Sequence, residues 1–274
     1  MPWPPGWPAR PRAVLMLSFV FLITVAIGMS CITVFQPYPE DRSLTIVISV
    51  LAVLLVVILI GTGPLLRVRR RWWPRLVTAC TAGSGENGVC IPNSTWLYRW
   101  LITVVTVIGV SSGVLMWVVL RDGGPAREIW NLTLFLISVV ALLYCGWFLI
   151  DVARGQIARG QVVLSPRGIY HRSVVQDEFV PWTAVLSVNA EYEQGPVIVL
   201  HVISGAPKRR MTTRLAFRRG PSPRPITIRG NTLAVDSALL FHALAYYHSR
   251  PEARAELTTD LGVQRIRTGD LLAP

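Results

Sequence analysis

Long apolar runs without an ionisable side chain dominate the first half of the chain. They cover residues 13–34, 44–60, 101–120 and 132–150. Each is close to the roughly 20 residues that a helix needs to cross a hydrocarbon core about 30 Å thick. Because backbone groups in lipid must be hydrogen-bonded within their own segment, these runs are predicted to be helical even where β-branched residues are frequent. The pattern predicts an α-helical membrane domain with four transmembrane helices.

After residue 156 the pattern changes to short alternating runs separated by Gly, Pro and Ser. Such runs are typical of antiparallel strands. We expect six or seven strands between residues 160 and 229, then one helix that begins after an N-cap at Asp236 and ends at Pro251. Asp177 and Glu178 are expected in a solvated turn. The predicted domains are residues 1–156, transmembrane; 157–250, mainly β; and 251–274, a frayed helix and disordered tail.

Two motifs in the second half resemble a known family. They are Val162-Val-Leu-Ser-Pro-Arg-Gly-Ile-Tyr and Val180-Pro-Trp-Thr-Ala-Val. This order of a strand, a Gly-hydrophobic turn and a Pro-Trp pair resembles the opening of bacterial pleckstrin-homology-like (PH-like) domains. Those domains often follow transmembrane helices, and they close with a helix similar to the one expected after Asp236. The resemblance implies a PH-like barrel that serves as a lipid-, peptide- or self-association module.

Two residues of these motifs have expected structural roles. Trp182 is predicted to plug the barrel while its indole N–H finds a hydrogen-bond acceptor at the rim. Gly168 is predicted to adopt a positive φ or to lie where two backbone segments approach closely. Neither residue is expected to belong to a functional site.

Composition and charge place the protein in a membrane and orient it. Of the 274 residues, 52% are hydrophobic and 15% charged, against about 25% charged in an average soluble domain. Arginines cluster before the first run and between the second and third, whereas residues 35–43 and 121–128 carry mixed charge. The positive-inside rule then puts both termini of a multi-pass cell-membrane protein in the cytoplasm. A cleaved signal or lipoprotein sequence ending at Cys31 is the alternative for the first run, whose length favours an uncleaved anchor.

The region from residue 208 to 229 concentrates positive charge without an acidic residue. Basic side chains near an anionic leaflet each contribute on the order of 1 kcal/mol of attraction. Three interpretations are open: contact with the anionic inner leaflet, a solvated loop, or contact with a partner protein. Nucleic acid is not expected, because aromatic residues are scarce in the region. The candidate contact residues are Lys208, Arg209, Arg210, Arg214, Arg218 and Arg219.

Two further features suggest helix packing and thiol chemistry. Gly109 and Gly113 form a small-xxx-small pattern that lets helices approach closely, either within the membrane domain or in a homodimer. Cys80 and Cys90 flank a loose Gly-rich loop. On the cytoplasmic side both are expected to be thiols, and two cysteines fall short of the four ligands of a structural zinc site. A redox switch or an intersubunit metal site is the alternative.

The sequence contains no phosphate-binding Gly loop, nucleophile elbow, zincin helix or metal quartet. We therefore expect no catalytic residues, no cofactor and no metal. The predicted function is a non-catalytic binding or assembly module at the cytoplasmic membrane surface, with anionic lipids, a second copy or a membrane protein as partner. Two alternatives are a small transporter or channel with a regulatory domain, and a membrane enzyme of lipid or envelope metabolism with polar residues in the loop at residues 67–100. Charge-free membrane runs disfavour the transporter.

Overall fold

The computed structural model describes residues 1–5, 7, 20–25, 28, 42–62, 74–81, 85–121, 128–174, 176–193, 195–211 and 225–271. The chain divides into two compact units. The β-rich unit comprises residues 1–11, 67–95 and 156–274, and the apolar unit comprises residues 12–66 and 96–155.

The described part of the apolar unit is mainly helical. Its long helices are α1 (Arg42–Thr62), α2 (Thr95–Arg121) and α3 (Glu128–Ala153). Among the described residues, α2 and α3 are long and apolar enough to cross a membrane. They coincide with the third and fourth predicted spans.

The first two predicted spans do not meet that test. The apolar stretch of α1 that can be evaluated, Ile48–Gly61, is shorter than a membrane crossing. Of the first predicted span, residues 20–25 and 28 are helical and the others lie outside the described residues. The structure therefore supports two membrane-length helices and does not support four.

The described helices of the apolar unit contact one another through a tryptophan. The Trp100 indole nitrogen on α2 donates a hydrogen bond to the Val57 carbonyl on α1, with a donor–acceptor distance of 2.9 Å. The same indole lies where a Cβ on Gly61 would be. Glycine at that position therefore lets α1 and α2 approach closely enough for the hydrogen bond to form.

The described strands form two antiparallel sheets in the β-rich unit. One has six strands in the order β1-β2-β3-β4-β5-β8, and the other has three in the order β6-β7-β9. The strands are β1 (Thr78–Thr81), β2 (Asn87–Pro92), β3 (Gln161–Leu164), β4 (Gly168–Arg172), β5 (Gln176–Pro181), β6 (Val185–Tyr192), β7 (Pro196–Val202), β8 (Lys208–Met211) and β9 (Ile226–Arg229).

The strand prediction is confirmed in number but corrected in arrangement. Seven described strands, β3 to β9, lie between Gln161 and Arg229. No backbone ladder among the described strands joins the two sheets, so the expected closed barrel is not seen. Asp177 and Glu178 lie in β5 and not in a solvated turn. The sequence also predicts a strand from about residue 211 to 217; its first residue, Met211, is the last described residue of β8, and the others lie outside the described residues.

The expected loop between the second and third runs contributes two strands to the larger sheet. Strand β2 pairs with β3, and Val89 and Ile91 are fully buried in the main hydrophobic core. Beyond β2, the Asn93 N–H donates to the Gly160 carbonyl at 2.9 Å, and the Ser94 N–H donates to the Thr232 carbonyl at 2.7 Å. The β-rich unit therefore begins well before residue 157.

The main core is closed by helix α4 (Ser237–Ser249). Asp236 caps this helix as predicted, because its side chain accepts a hydrogen bond from the Ala238 N–H at 3.1 Å. The predictions for Trp182 are confirmed in burial and bonding: its ring is 3% exposed and its indole N–H donates to the Ser165 carbonyl at 2.8 Å. Gly168 lies where two backbone segments approach closely, as one of its two predicted roles requires, because a Cβ there would collide with the Val180 carbonyl.

The predicted tail is folded onto the same core. A 3-10 turn covers Pro251–Thr258 and helix α5 covers Asp260–Thr268. Leu257, Val263, Ile266 and Leu271 are buried in the main core. The apolar spacing of these residues is short and is interrupted by charge, which is why it resembles a frayed helix in the sequence.

Candidate functional site on the outer face of the six-stranded sheet

The larger sheet has an inner face on the main core and an outer face that carries polar side chains. Ile169 and Val180, which pair across β4 and β5, are in the main core. Successive side chains of a strand point to opposite faces, so Tyr170 and Phe179 lie on the outer face. The pairing register extends this face across the sheet through Cys80, Cys90, Gln161, Tyr170, Arg172, Asp177, Lys208 and Arg210.

The predicted basic residues are divided by the structure. Lys208, Arg209 and Arg210 lie in β8, at the end of the sheet order, whereas Arg214, Arg218 and Arg219 lie outside the described residues. Arg210 lies directly opposite Asp177, and Arg209 lies opposite Glu178. Opposite charges on paired strand positions attract each other. The basic stretch contains no acidic residue of its own, but in the sheet its first residues pair with positions of β5 that carry acidic residues.

A tyrosine and three charged residues interact at this edge of the outer face. The Arg172 Nε atom lies 3.6 Å from Asp177 Oδ1. Burial, together with the charge of Asp177 and a hydrogen bond to it, raises the pKa of Tyr170 to about 12, although Arg172 and Arg210 act in the opposite direction. The phenol therefore keeps its proton beside the Asp177 carboxylate, where it serves as a hydrogen-bond donor.

A histidine and a carboxylate lie close together on the inner face at the same end of the strands. His171 Nδ1 lies 3.6 Å from Glu178 Oε2, and the two side chains are only 14% and 12% exposed. The Gln176 amide donates to the other Glu178 oxygen at 2.7 Å. This end of the sheet is thus held by polar contacts on both faces, which favours a structural role for Glu178.

At the other end of the outer face two thiols are neighbours. Cys80 and Cys90 are free cysteines, and Cys80 packs against the buried pair formed by Cys90 and Val163. The Cys90 thiol donates to Gln161 Oε1 at 3.2 Å. No cluster of three or more His, Cys, Asp or Glu side chains able to hold a metal occurs among the residues the structure describes.

The two glycines of the small-xxx-small pattern differ in their surroundings within the apolar unit. A Cβ on Gly109 would lie 3.4 Å from the Cβ of Cys145 on α3, whereas nothing lies within 4 Å of a Cβ on Gly113. Gly109 therefore lies where α2 and α3 are close together. Gly113 faces open space in the single chain.

The N-terminal segment contacts the β-rich unit, which the sequence did not predict. Trp7 is 3% exposed in the main core, and its indole N–H donates to the Glu191 carbonyl on β6 at 2.7 Å. His242 Nε2 on α4 is hydrogen-bonded to the Pro2 carbonyl at 2.9 Å. The Trp3 indole N–H donates to the Trp7 carbonyl at 3.0 Å. A possible signal was the pair of tryptophans among prolines ahead of the first charged residue.

No protein-family model, curated protein or solved structure matches this chain.

Proposed function

We propose that this chain is a multi-pass membrane protein with both termini in the cytoplasm, and that its β-rich unit is a non-catalytic, PH-like binding module at the inner leaflet. The observation that carries the proposal is which segments of the chain form that unit. Three separated chain segments, residues 1–11, 67–95 and 156–274, fold into it, and apolar segments alternate with them. The unit is therefore joined to the apolar unit at four points along the chain.

These four connections constrain membrane topology. A segment that leaves the β-rich unit and returns to it must cross a membrane an even number of times, because both of its ends are held on one side. Residues 96–155 contain the two membrane-length helices α2 and α3, which fits one crossing in each direction. Residues 12–66 face the same requirement, and two crossings there would restore the four predicted spans.

The surfaces of α2 and α3 support a lipid environment. Leu120 on α2 and Leu143 on α3 are 67% and 70% exposed, and only 17% of each helix's most apolar window is buried. Helices in the core of a soluble protein bury most of their apolar side chains. Apolar surface of this extent is favourable in lipid and would promote aggregation in water.

The binding role is supported by position and charge. A domain tethered at four points to membrane helices has a high effective concentration at the leaflet. Lys208 and Arg210 are exposed on β8, and the Arg-rich segment that follows, residues 212–224, lies outside the described residues. Because Asp177 and Glu178 offset part of the charge of β8, we assign lipid contact mainly to Lys208 and that following segment. The seven strands β3 to β9 and the closing helix α4 support the PH-like interpretation.

The proposal has a direct test because Lys208 is the chain's one lysine. The full chain is placed in nanodiscs of neutral or anionic lipid, and acylation of Lys208 is followed by mass spectrometry with the N-terminal amine as internal reference. We expect acylation of Lys208 relative to the reference to be several-fold slower in anionic discs, and the difference to vanish in about 1 M salt, where the Debye length is about 3 Å. Equal rates in both lipids would overturn the lipid contact.

A further inference from the structure

The pairing register places the thiols of Cys80 and Cys90 on one face of the hairpin β1–β2. Cys80 pairs with Gly88 and Cys90 pairs with Thr78, so the two cysteines are diagonal neighbours. Diagonal partners are still within reach of each other across two strands. Gly88 places no side chain beside Cys80, and Cys80 packs against Cys90. The hairpin therefore brings two sulfurs into contact that are ten positions apart in the sequence.

The two thiols differ in exposure and in acidity. Cys80 is partly exposed and Cys90 is buried. The neighbouring Cys90 side chain lowers the pKa of Cys80, while the neighbouring Cys80 side chain and burial raise the pKa of Cys90. A thiolate is the reactive form of cysteine, and the partly exposed sulfur of Cys80 is the one that an oxidant can reach.

We propose that Cys80 and Cys90 form a peroxide-sensitive thiol pair, in which Cys80 is oxidised first and Cys90 resolves it into a disulfide. The proposal concerns the hairpin alone and does not depend on lipid binding. In the cytoplasm, where both termini are proposed to lie, such pairs are reduced at rest and oxidised transiently.

The reaction balances with hydrogen peroxide as oxidant. The Cys80 thiolate attacks one peroxide oxygen, the O–O bond breaks, and the second oxygen leaves as water after taking up a proton, which gives a sulfenic acid. The Cys90 sulfur then attacks the Cys80 sulfur, the S–O bond breaks, and the hydroxyl leaves as water with the Cys90 proton. Two thiols lose two electrons and one peroxide gains them. A dithiol reductant reverses the disulfide by exchange.

The position of the pair gives the disulfide a structural consequence. Diagonal Cα atoms lie about 7–8 Å apart, above the usual range of about 4.4–6.8 Å for a disulfide. Closing the bond must therefore draw β1 and β2 together locally. Strand β2 ends at Pro92 and helix α2 begins at Thr95, so the shift would occur next to the start of a membrane-length helix. A strained bond of this kind is also easily reduced.

The test uses the full chain in detergent, exposed to a small excess of hydrogen peroxide and then analysed by peptide mapping without reduction. We expect a Cys80–Cys90 linkage and the loss of two hydrogen atoms in mass. In Cys90→Ala, Cys80 should instead accumulate as a sulfenic acid that a 1,3-diketone traps. Absence of the linkage, or linkage of Cys80 to another cysteine, would overturn the proposal.

A second measurement separates reactivity from folding. Alkylation of Cys80 at neutral pH should be several-fold slower in Cys90→Ala than in the wild type, because removing Cys90 raises the pKa of Cys80 and leaves less thiolate. Cys145→Ala, a change on α3, is the control and should leave the rate unchanged. Equal rates in the wild type and Cys90→Ala, with equal thermal midpoints, would show that Cys90 does not activate Cys80.

Discussion

At the scale of single residues, the contact between Tyr170 and Asp177 predicts a measurable titration. The Tyr170 pKa is raised from 10.0 to about 12, by burial and then by Asp177. We expect Asp177→Asn to lower that pKa, although not to 10.0, because burial remains. The measurement is the absorbance of the phenolate against pH, with Tyr170→Phe used to subtract the other tyrosines. Glu193→Gln, which removes an exposed carboxylate elsewhere, should leave the Tyr170 titration unchanged.

The same shift makes the stability of the protein depend on alkaline pH. Because the folded pKa of Tyr170 lies above its unfolded value, the stabilisation is complete below pH 10 and is lost as the pH rises from 10.0 toward about 12. Tyr170→Phe lacks the phenol at this position and should lack the loss of stability that its ionisation causes. A wild type and a Tyr170→Phe variant with parallel stability curves across that interval would contradict the assignment.

Residues whose role depends on local chemistry were predictable, and residues whose role depends on distant partners were not. Asp236 was recognised because an acidic residue before a helical run is an N-cap, and Trp182 because a tryptophan in a β-rich core needs an acceptor for its N–H. Trp7 was missed. Its acceptor is the Glu191 carbonyl, and no pattern near residue 7 identifies a partner so far along the chain.

At the scale of secondary-structure elements, helix α5 predicts a clear contrast between two of its own side chains. Ile266 is fully buried and Leu261 is 65% exposed. Ile266→Ala should lower the free energy of unfolding by about 3 kcal/mol, the usual cost of removing a buried aliphatic side chain. Leu261→Ala, the matched control on the same helix, should change it by less than about 0.5 kcal/mol. Denaturant titration of the two variants in detergent gives the comparison.

The outcome distinguishes the folded helix from the tail expected from the sequence. In a solvated tail both substitutions would be neutral. The folded alternative is supported by Arg267, whose Nε atom donates to the Val77 carbonyl at 2.9 Å, and by the bidentate contact of Arg265 with Glu256. An Ile266→Ala variant as stable as the wild type would show that α5 adds nothing to the core.

Strands that have a recognisable pattern in their own sequence were predicted, and strands that form only by pairing with a distant part of the chain were not. Strands β3 to β9 are short apolar or alternating runs separated by turn residues, so their number was predicted. Strands β1 and β2 flank a Gly-rich segment, residues 82–86, and β2 makes its interior contacts through β3, some 70 residues later. Short strands are marginal alone. Their existence follows from the sheet they join.

At the scale of the whole molecule, the β-rich unit cannot be represented by its C-terminal segment. A fragment that begins after residue 155 lacks β1 and β2 and also lacks the N-terminal Trp7, all of which contribute to the larger sheet or the main core. Removing them would expose Val162, Leu164 and neighbouring core residues to water. Lipid and thiol measurements therefore require the full chain.

A segment that leaves the β-rich unit and returns to it must cross a membrane an even number of times, and this requirement can be tested by labelling. Single cysteines are introduced at Pro5, Ala79 and Leu261, three exposed positions of the β-rich unit, in a chain whose own cysteines are replaced by alanine. An impermeant maleimide should label all three from the cytoplasmic side of oriented vesicles. Pro37→Cys and Gly123→Cys, in the two short segments between predicted spans, should be labelled from the opposite side. Labelling of Gly123→Cys from the cytoplasmic side would show that α2 and α3 do not cross the membrane. Labelling of Pro37→Cys from the cytoplasmic side would show that the first two predicted spans do not cross, so that only α2 and α3 would be membrane spans.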